Sequence, residues 1–310
     1  MRIRSEARRG ALGIASITPG TTIVITGGGS GIGRLVALGA ARKGAHVVLW
    51  DRDGDAARSV AHAATALGGR GTAVVVDLAD SDAIELAAAE TLMHGTVDVL
   101  VNNAGVVSGR PLTELTPQQI DRTMRVNAIA PILVTRALLP AMRDAGRGRI
   151  VTVASAAGFI GVAGQTDYAA SKFAAVGFME SLRAELRKEG SPITTLTVAP
   201  FYIDTGMFAG VTTKVPALLP ILSSATVATR ILGAIESRRS LLALPPLVRL
   251  VPAIKVLPPV LADLLADALG VNEGMDGFTG REPADERQQR ARHACCDGRG
   301  GAGSCPRCRR

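Results

Sequence analysis

The sequence predicts an α/β fold: a single doubly wound parallel sheet with helices on both faces and an apolar C-terminal extension. Three observations predict it. Short β-branched apolar runs recur along the chain, as they do in strands buried on both faces. A glycine-rich turn follows the first run and opens a helical pattern. The second run ends on a carboxylate about twenty residues past that turn, the spacing of a nucleotide-binding βαβ unit.

Residues Thr21–Thr26 (TTIVIT) read as the first strand. Gly27, Gly28, Gly29, Ser30, Gly31, Ile32 and Gly33 form the turn, and Arg34–Leu38 begins the helix. Glycines permit a tight turn and close approach of backbone to a pyrophosphate, while the helix N-terminus supplies favourably oriented N–H groups. The second strand, His46–Trp50, ends at Asp51, where a carboxylate can accept both hydrogen bonds of an adenosine ribose. A surface-loop aspartate is the plainer alternative. Thr72–Val76 and Val97–Val101 read as further strands, 225–237 as a helix, Ser240–Leu244 as a final strand and Leu261–Leu269 as a helix.

Tyr168 and Lys172 lie four residues apart, and Ser155 lies thirteen positions before the tyrosine. On a helix, positions i and i+4 share a face. A free phenol titrates near ~10 and is a poor base at neutral pH. A neighbouring cation favours phenolate and moves the group toward the range where acid–base catalysis works. The Ser155 hydroxyl can bond the same substrate oxygen. Alone, a Tyr-x-x-x-Lys string also fits a solvated helix face; the nucleotide turn upstream gives it chemical meaning.

Together these motifs resemble the short-chain dehydrogenase/reductase family, over roughly Thr21 to Met207. The matching residues are Thr26, Gly27, Ser30, Gly31, Ile32 and Gly33 in the turn, and Asp77-Leu78 after the third strand. They continue with Asn102-Asn103-Ala104-Gly105 and Asn127, then Ser155, Tyr168 and Lys172. The stretch Val151–Val176 and the segment Ala268–Phe278 look most like the retinol and 17β-hydroxysteroid dehydrogenase branch. One departure is Pro200-Phe201, where many members carry Pro-Gly.

The resemblance implies hydride transfer between an alcohol and a nicotinamide cofactor. Tyr168 would act as acid/base, Ser155 would hold the substrate oxygen, and Lys172 would lower the tyrosine pKa and bond the nicotinamide ribose. Asn127 would position a water linking that lysine to solvent. Asn103, Ala104 and Gly105 would line the cofactor, Asp77 and Leu78 would meet the adenine, and Pro200, Ile203 and Thr205 would hold the carboxamide. Asp51 would repel a 2′-phosphate, which favours NAD over NADP. Arg52 beside it offsets part of that preference. Members that use NADP often place a basic residue at the position of Ser30. An NADPH-dependent carbonyl reductase and a non-catalytic, cofactor-bound scaffold at a lipid surface are the competing readings. The resemblance also implies a homodimer or homotetramer.

Composition narrows the partners. The net charge of +8 belongs to the ends: four arginines face one glutamate in 1–17, and eight arginines face four acids in 281–310. The remainder carries 23 basic and 22 acidic groups. With aromatics at 3%, the body offers no base-stacking platform, and no nucleic-acid partner is expected. The organisation expected is a flexible basic tail over 1–17, a catalytic domain over 18–280 and a disordered Arg/Cys-rich tail over 281–310. Cys295, Cys296, Cys305 and Cys308 invite a zinc reading, but the glycine-rich spacer between them has nothing to pack a metal module, and no metal is expected. No uncharged apolar run reaches the roughly 18 residues that span a bilayer. A cytoplasmic protein, soluble or peripheral at a membrane surface, is the expectation.

Residues 206–223 are apolar and sparsely charged, which suits a lid over a lipophilic alcohol or ketone. Met207, Phe208, Val215, Leu218, Leu219, Ile221 and Leu222 are its expected lining. The proline-broken run 245–259, with Arg249 and Lys255, fits either a membrane interface or a subunit contact.

Overall fold

The computed structural model describes residues 16–280. Seven parallel strands form one sheet in the order β3-β2-β1-β4-β5-β6-β7. They are β1 Thr22–Thr26, β2 His46–Asp51, β3 Arg70–Val75, β4 Val99–Asn102, β5 Arg149–Val153, β6 Thr194–Pro200 and β7 Leu241–Leu244. Strand order reverses between β1 and β4, so a crevice opens there at the carboxyl ends of the strands.

Alternation along each strand divides the core into two layers. On one face Ile23, Ile25, Val47, Leu49, Val99 and Val101 pack against α1 (Gly31–Ala41), α2 (Gly54–Ala66) and α7 (Ser224–Ile235). On the other, Val24, Val48, Trp50, Leu100 and Ile150 meet α3 (Ser81–Met93), α5 (Ala130–Asp144) and α6 (Thr166–Lys188). Asp53 and Asp80 cap α2 and α3 through their carboxylates, and Thr116 with Gln119 forms a capping box on α4 (Pro117–Met124).

Strand and helix limits fall within two residues of the expected ones. At Val97 the strand starts two residues late, because Asp98 is taken up holding the strand ends: its carboxylate accepts from the Thr22 N–H at 2.9 Å and from Arg147 at 2.6 Å. Ile17, expected in the basic tail, is buried in the core and donates its N–H to Glu236. Residues 1–15 and the whole Arg/Cys-rich segment 281–310 lie outside the described residues, and with them the zinc question. Among the described residues no helix is long and apolar enough to cross a membrane.

Two buried basic residues stand away from the crevice. Arg149 on β5 donates to the carbonyls of Ala234 and Arg239 where α7 ends, a favourable place for positive charge. Burial lowers its pKa to about 10, which leaves it charged at neutral pH. His46 opens β2, bonded to Thr72 at 2.9 Å, and burial first, then Arg70 and His94, push its pKa down to about 4. Because the unfolded imidazole binds its proton near ~6.5, stability rises with pH across about 4 to 6.5 and is lost as pH falls through that window. A His46→Gln variant keeps a partner for Thr72 and should flatten this slope in thermal unfolding; an unchanged slope would place its origin elsewhere.

Candidate active site

The glycine turn joins β1 to α1. Gly27 and Gly31 have φ of 64° and 53°, where side chains are rarely tolerated. A Cβ on Gly33 would run into the Gly27 carbonyl and the Asn103 side chain, so α1 closes directly on the turn. Thr26 at the end of β1 and Asn103 just past β4 brace it together. The Thr26 hydroxyl accepts the N–H groups of Asn103 and Ala104 at 3.0 and 3.1 Å. The Asn103 amide donates to the carbonyls of Thr26 and Gly27. Thr26 is therefore a brace at the bottom of the turn, while Gly27, Ser30, Gly31 and Ile32 face the open crevice with Asn103, Ala104 and Gly105.

Asp51 stands at the lip of the turn. One carboxylate oxygen accepts from Gly29 N–H at 2.9 Å and the other from Asp53 N–H at 3.1 Å. Each oxygen keeps further lone pairs for a diol. Arg52 beside it is exposed. Asp77, also exposed, and buried Leu78 lie past β3 at the far end of the same row, and Asp77 accepts from the Ala79 N–H. A close backbone approach, a helix N-terminus and a half-buried carboxylate at a strand end fit an adenine dinucleotide.

The sheet and α6 bring the predicted chemical groups together. Tyr168 and Lys172, one turn apart on α6, are 4% exposed each, and Ser155 follows β5 as the cap of a short 3₁₀ turn. Burial pushes the Tyr168 phenol up from its usual range; a hydrogen bond with Ser155 opposes this, and neighbouring Tyr202 adds to it. The Lys172 ammonium sits 5.5 Å from the phenol ring centre and donates to the Val153 carbonyl at 3.0 Å. Burial lowers its pKa to about 8. The sequence reading expects this lysine to draw the tyrosine downward. Burial acts on the phenol in the opposite direction.

Asn127 stands beside the same cluster. It lies in a π-helical turn, Arg125–Ile129, between α4 and α5. Its side chain clamps Val106 on both backbone groups at 2.8 Å and donates to the Ser171 hydroxyl at 3.0 Å. The amide is therefore committed to protein partners. It fixes the 105–106 loop beside Lys172.

From the cofactor turn past Tyr168 runs one continuous, mainly apolar cleft of about 450 Å³ in all. Pro200, Ile203 and Thr205 line it after β6, and Met207, Phe208, Leu218 and Leu219 of the expected lid line it too. Val215, Ile221 and Leu222 do not. Leu222 is held by the bridge to Ile203 and packs on the main core, which turns Ile221 outward. Phe208 stacks edge-on against both Tyr168 and Tyr202, at 5.7 and 5.2 Å between ring centres. The lid is tied down by the segment 274–280: Thr279 and Gly280 donate to the Ala209 carbonyl, and Thr212 donates to that of Gly274.

Two parts of the cleft escape sequence reasoning. Gln165 donates to the Tyr202 hydroxyl at 3.0 Å across a gap of 37 residues, a buried polar pair in an apolar wall. Burial raises the Tyr202 pKa to about 12. The run 245–259, expected at a membrane or a subunit contact, supplies a wall of the cleft through Leu247, Val248, Val251 and Ile254. The helix that follows it adds Ala262, Leu265, Ala266 and Leu269.

Comparison with known proteins agrees with this architecture. A family model described as short chain dehydrogenase matches residues 21–216. Epidermal retinol dehydrogenase 2 of Mus musculus is 40% identical over 267 residues, covering 85% of this chain and 86% of that protein. Retinol dehydrogenase 10 of Homo sapiens is 38% identical over 269 residues, covering 77% and 79%. Among solved structures, a short-chain dehydrogenase/reductase from Burkholderia phymatum in complex with NAD superposes with a TM-score of 0.69 at 28% identity, covering 76% of this chain and 93% of that one. A metagenomic short-chain oxidoreductase in complex with NADP gives 0.62 at 33%, covering 74% and 97%. With the braced glycine turn, the strand-end carboxylate and the Ser155–Tyr168–Lys172 cluster on one sheet edge, the chain belongs to the short-chain dehydrogenase family.

Proposed function

We propose that this protein interconverts a lipophilic alcohol and its carbonyl, of steroid, retinoid or long-chain type, with NAD as the preferred cofactor. The observation that carries the reading is the position of Ser155, Tyr168 and Lys172 at the junction between the glycine turn and the apolar cleft. The bound nicotinamide supplies the hydride acceptor or donor. The turn from Gly27 to Gly33 would hold the pyrophosphate at the α1 N-terminus, Asp51 the adenosine ribose, and Pro200, Ile203 and Thr205 the carboxamide end.

In reduction Tyr168 gives its proton to the carbonyl oxygen; in oxidation its phenolate, which the Lys172 ammonium beside it favours, takes the proton from the alcohol. Its buried, protonated phenol is ready as the donor. Ser155 hydrogen-bonds the same oxygen and steadies the charge that develops on it. Lys172 keeps a positive charge beside the phenol below about pH 8. A substrate that fills the cleft gains from removing apolar surface from water, which disfavours a sugar. The names of the two retinol dehydrogenases above are in line with that class.

Cofactor preference rests on Asp51, since the solved relatives include one complex with NAD and one with NADP. Alcohol oxidation followed through nicotinamide absorbance should run better with NAD⁺ than with NADP⁺. In Asp51→Ser the ratio should shift toward NADP⁺ by at least about tenfold, because a like-charge contact with the 2′-phosphate is removed. Turnover confined to NADP⁺ in the unaltered protein would overturn the cofactor assignment.

A further inference from the structure

The wall of the cleft has an outer face as apolar as its inner one. After β7 come a 3₁₀ turn (Pro246–Leu250), α8 (Val251–Ile254) and α9 (Pro259–Ala268). On α9 the residues Ala262, Leu265, Ala266 and Leu269 point into the cleft. Val260, Leu261 and Leu264 point the other way, with Val256 just before the helix 86% exposed, Val260 69% and Leu264 60%. A helix apolar on both sides is normally covered on both. Asp263 and Asp267 flank the outer stripe, and Asp267 is engaged by Asn272 at 2.7 Å.

The ridge also surrounds the mouth of the cleft. Leu218, Leu250 and Leu265 are exposed to solvent and line the cavity as well, so one apolar surface runs from outside to inside. Arg249 is exposed beside it, and Lys255 lies over the Phe173 ring at 4.0 Å, placing two basic groups at its edge.

We propose that this ridge docks on the surface of a lipid bilayer, with the cleft opening toward the acyl chains. The continuity of ridge and cavity selects this occupant: a lipophilic molecule passes from bilayer to cleft without crossing water, whereas a second copy of the chain seated there would close the entrance. Basic groups at the rim of an apolar face suit the headgroup level. The docking rests on the lipophilic-substrate reading for its purpose, but its test needs no turnover, so the two fail separately.

The test is flotation of the full chain with phosphatidylcholine vesicles, whose zwitterionic surface minimises the pull on the arginine-rich ends. The comparison is the triple variant Val256→Ser/Val260→Ser/Leu264→Ser, none of whose positions lines the cleft. The unaltered protein should float, and the variant's partition should fall at least about tenfold with the thermal midpoint little changed. Equal flotation of the two would overturn the proposal, as would an unaltered protein that stays at the bottom of the gradient. A dimer in sedimentation that the triple variant turns into monomer would also overturn it and assign the ridge to a second copy.

Discussion

Replacing Tyr168 by Phe is expected to lower turnover by about a thousandfold, within the span of proton-transfer catalysis, while NADH binding changes less than about twofold. The substitution removes one oxygen from a side chain that is 4% exposed and packed edge-on against Phe208. Ring volume and apolar contacts stay, and the hydroxyl lost is one that burial already disfavours in its charged form. Thermal stability should hardly move. Because the group acts on the reacting oxygen, kcat should fall without a matching rise in KM. A variant still working at a tenth of the normal rate would remove Tyr168 as the acid/base.

The second large effect is expected at Gly33. Alanine there puts a methyl group against the Gly27 carbonyl, which already accepts from the Asn103 amide at 3.2 Å. Neither backbone atom can retreat, because Thr26 and Asn103 tie the turn to β4. Overpacking of this kind costs about 1–3 kcal/mol, or roughly tenfold to a hundredfold in NADH affinity if the strain falls on the turn. Gly177, exposed on α6 with open space around it, is the control. Alanine there should raise stability by up to about 1 kcal/mol and leave binding unchanged. If Gly33→Ala binds NADH like the unaltered protein, the turn does not carry the cofactor.

What could be read in the sequence was what depends on short-range pattern. The β1 turn, Asp51 and the Tyr168–Lys172 spacing are each fixed within a strand end or one helical turn, and all three lie on the crevice edge. Asn127 was legible as a position but not as a clamp, since its partners are the backbone of Val106 and the hydroxyl of Ser171, 44 residues on. The Gln165–Tyr202 pair and the buried Arg149 were silent for the same reason: their partners are set by the packing of distant segments. The run 245–259 carried a clear apolar signal and no direction. Hydrophobicity says that such a segment needs covering and does not say by what, and here the cleft takes its inner side. Lys172 shows a different limit. Its spacing from Tyr168 was visible, but the burial that pushes the phenol up and the ammonium down is a property of the assembled fold.

The most direct test of the central claim is the specificity constant for NAD⁺-dependent oxidation across straight-chain primary alcohols of increasing length, with a polyol for comparison. An apolar cleft continuous with the Tyr168 site predicts that kcat/KM climbs with each methylene, by about fourfold where a full ~0.8 kcal/mol is gained, until the cleft is filled, and that the polyol is scarcely turned over. A flat profile, or a polyol preferred over every long-chain alcohol, would contradict it.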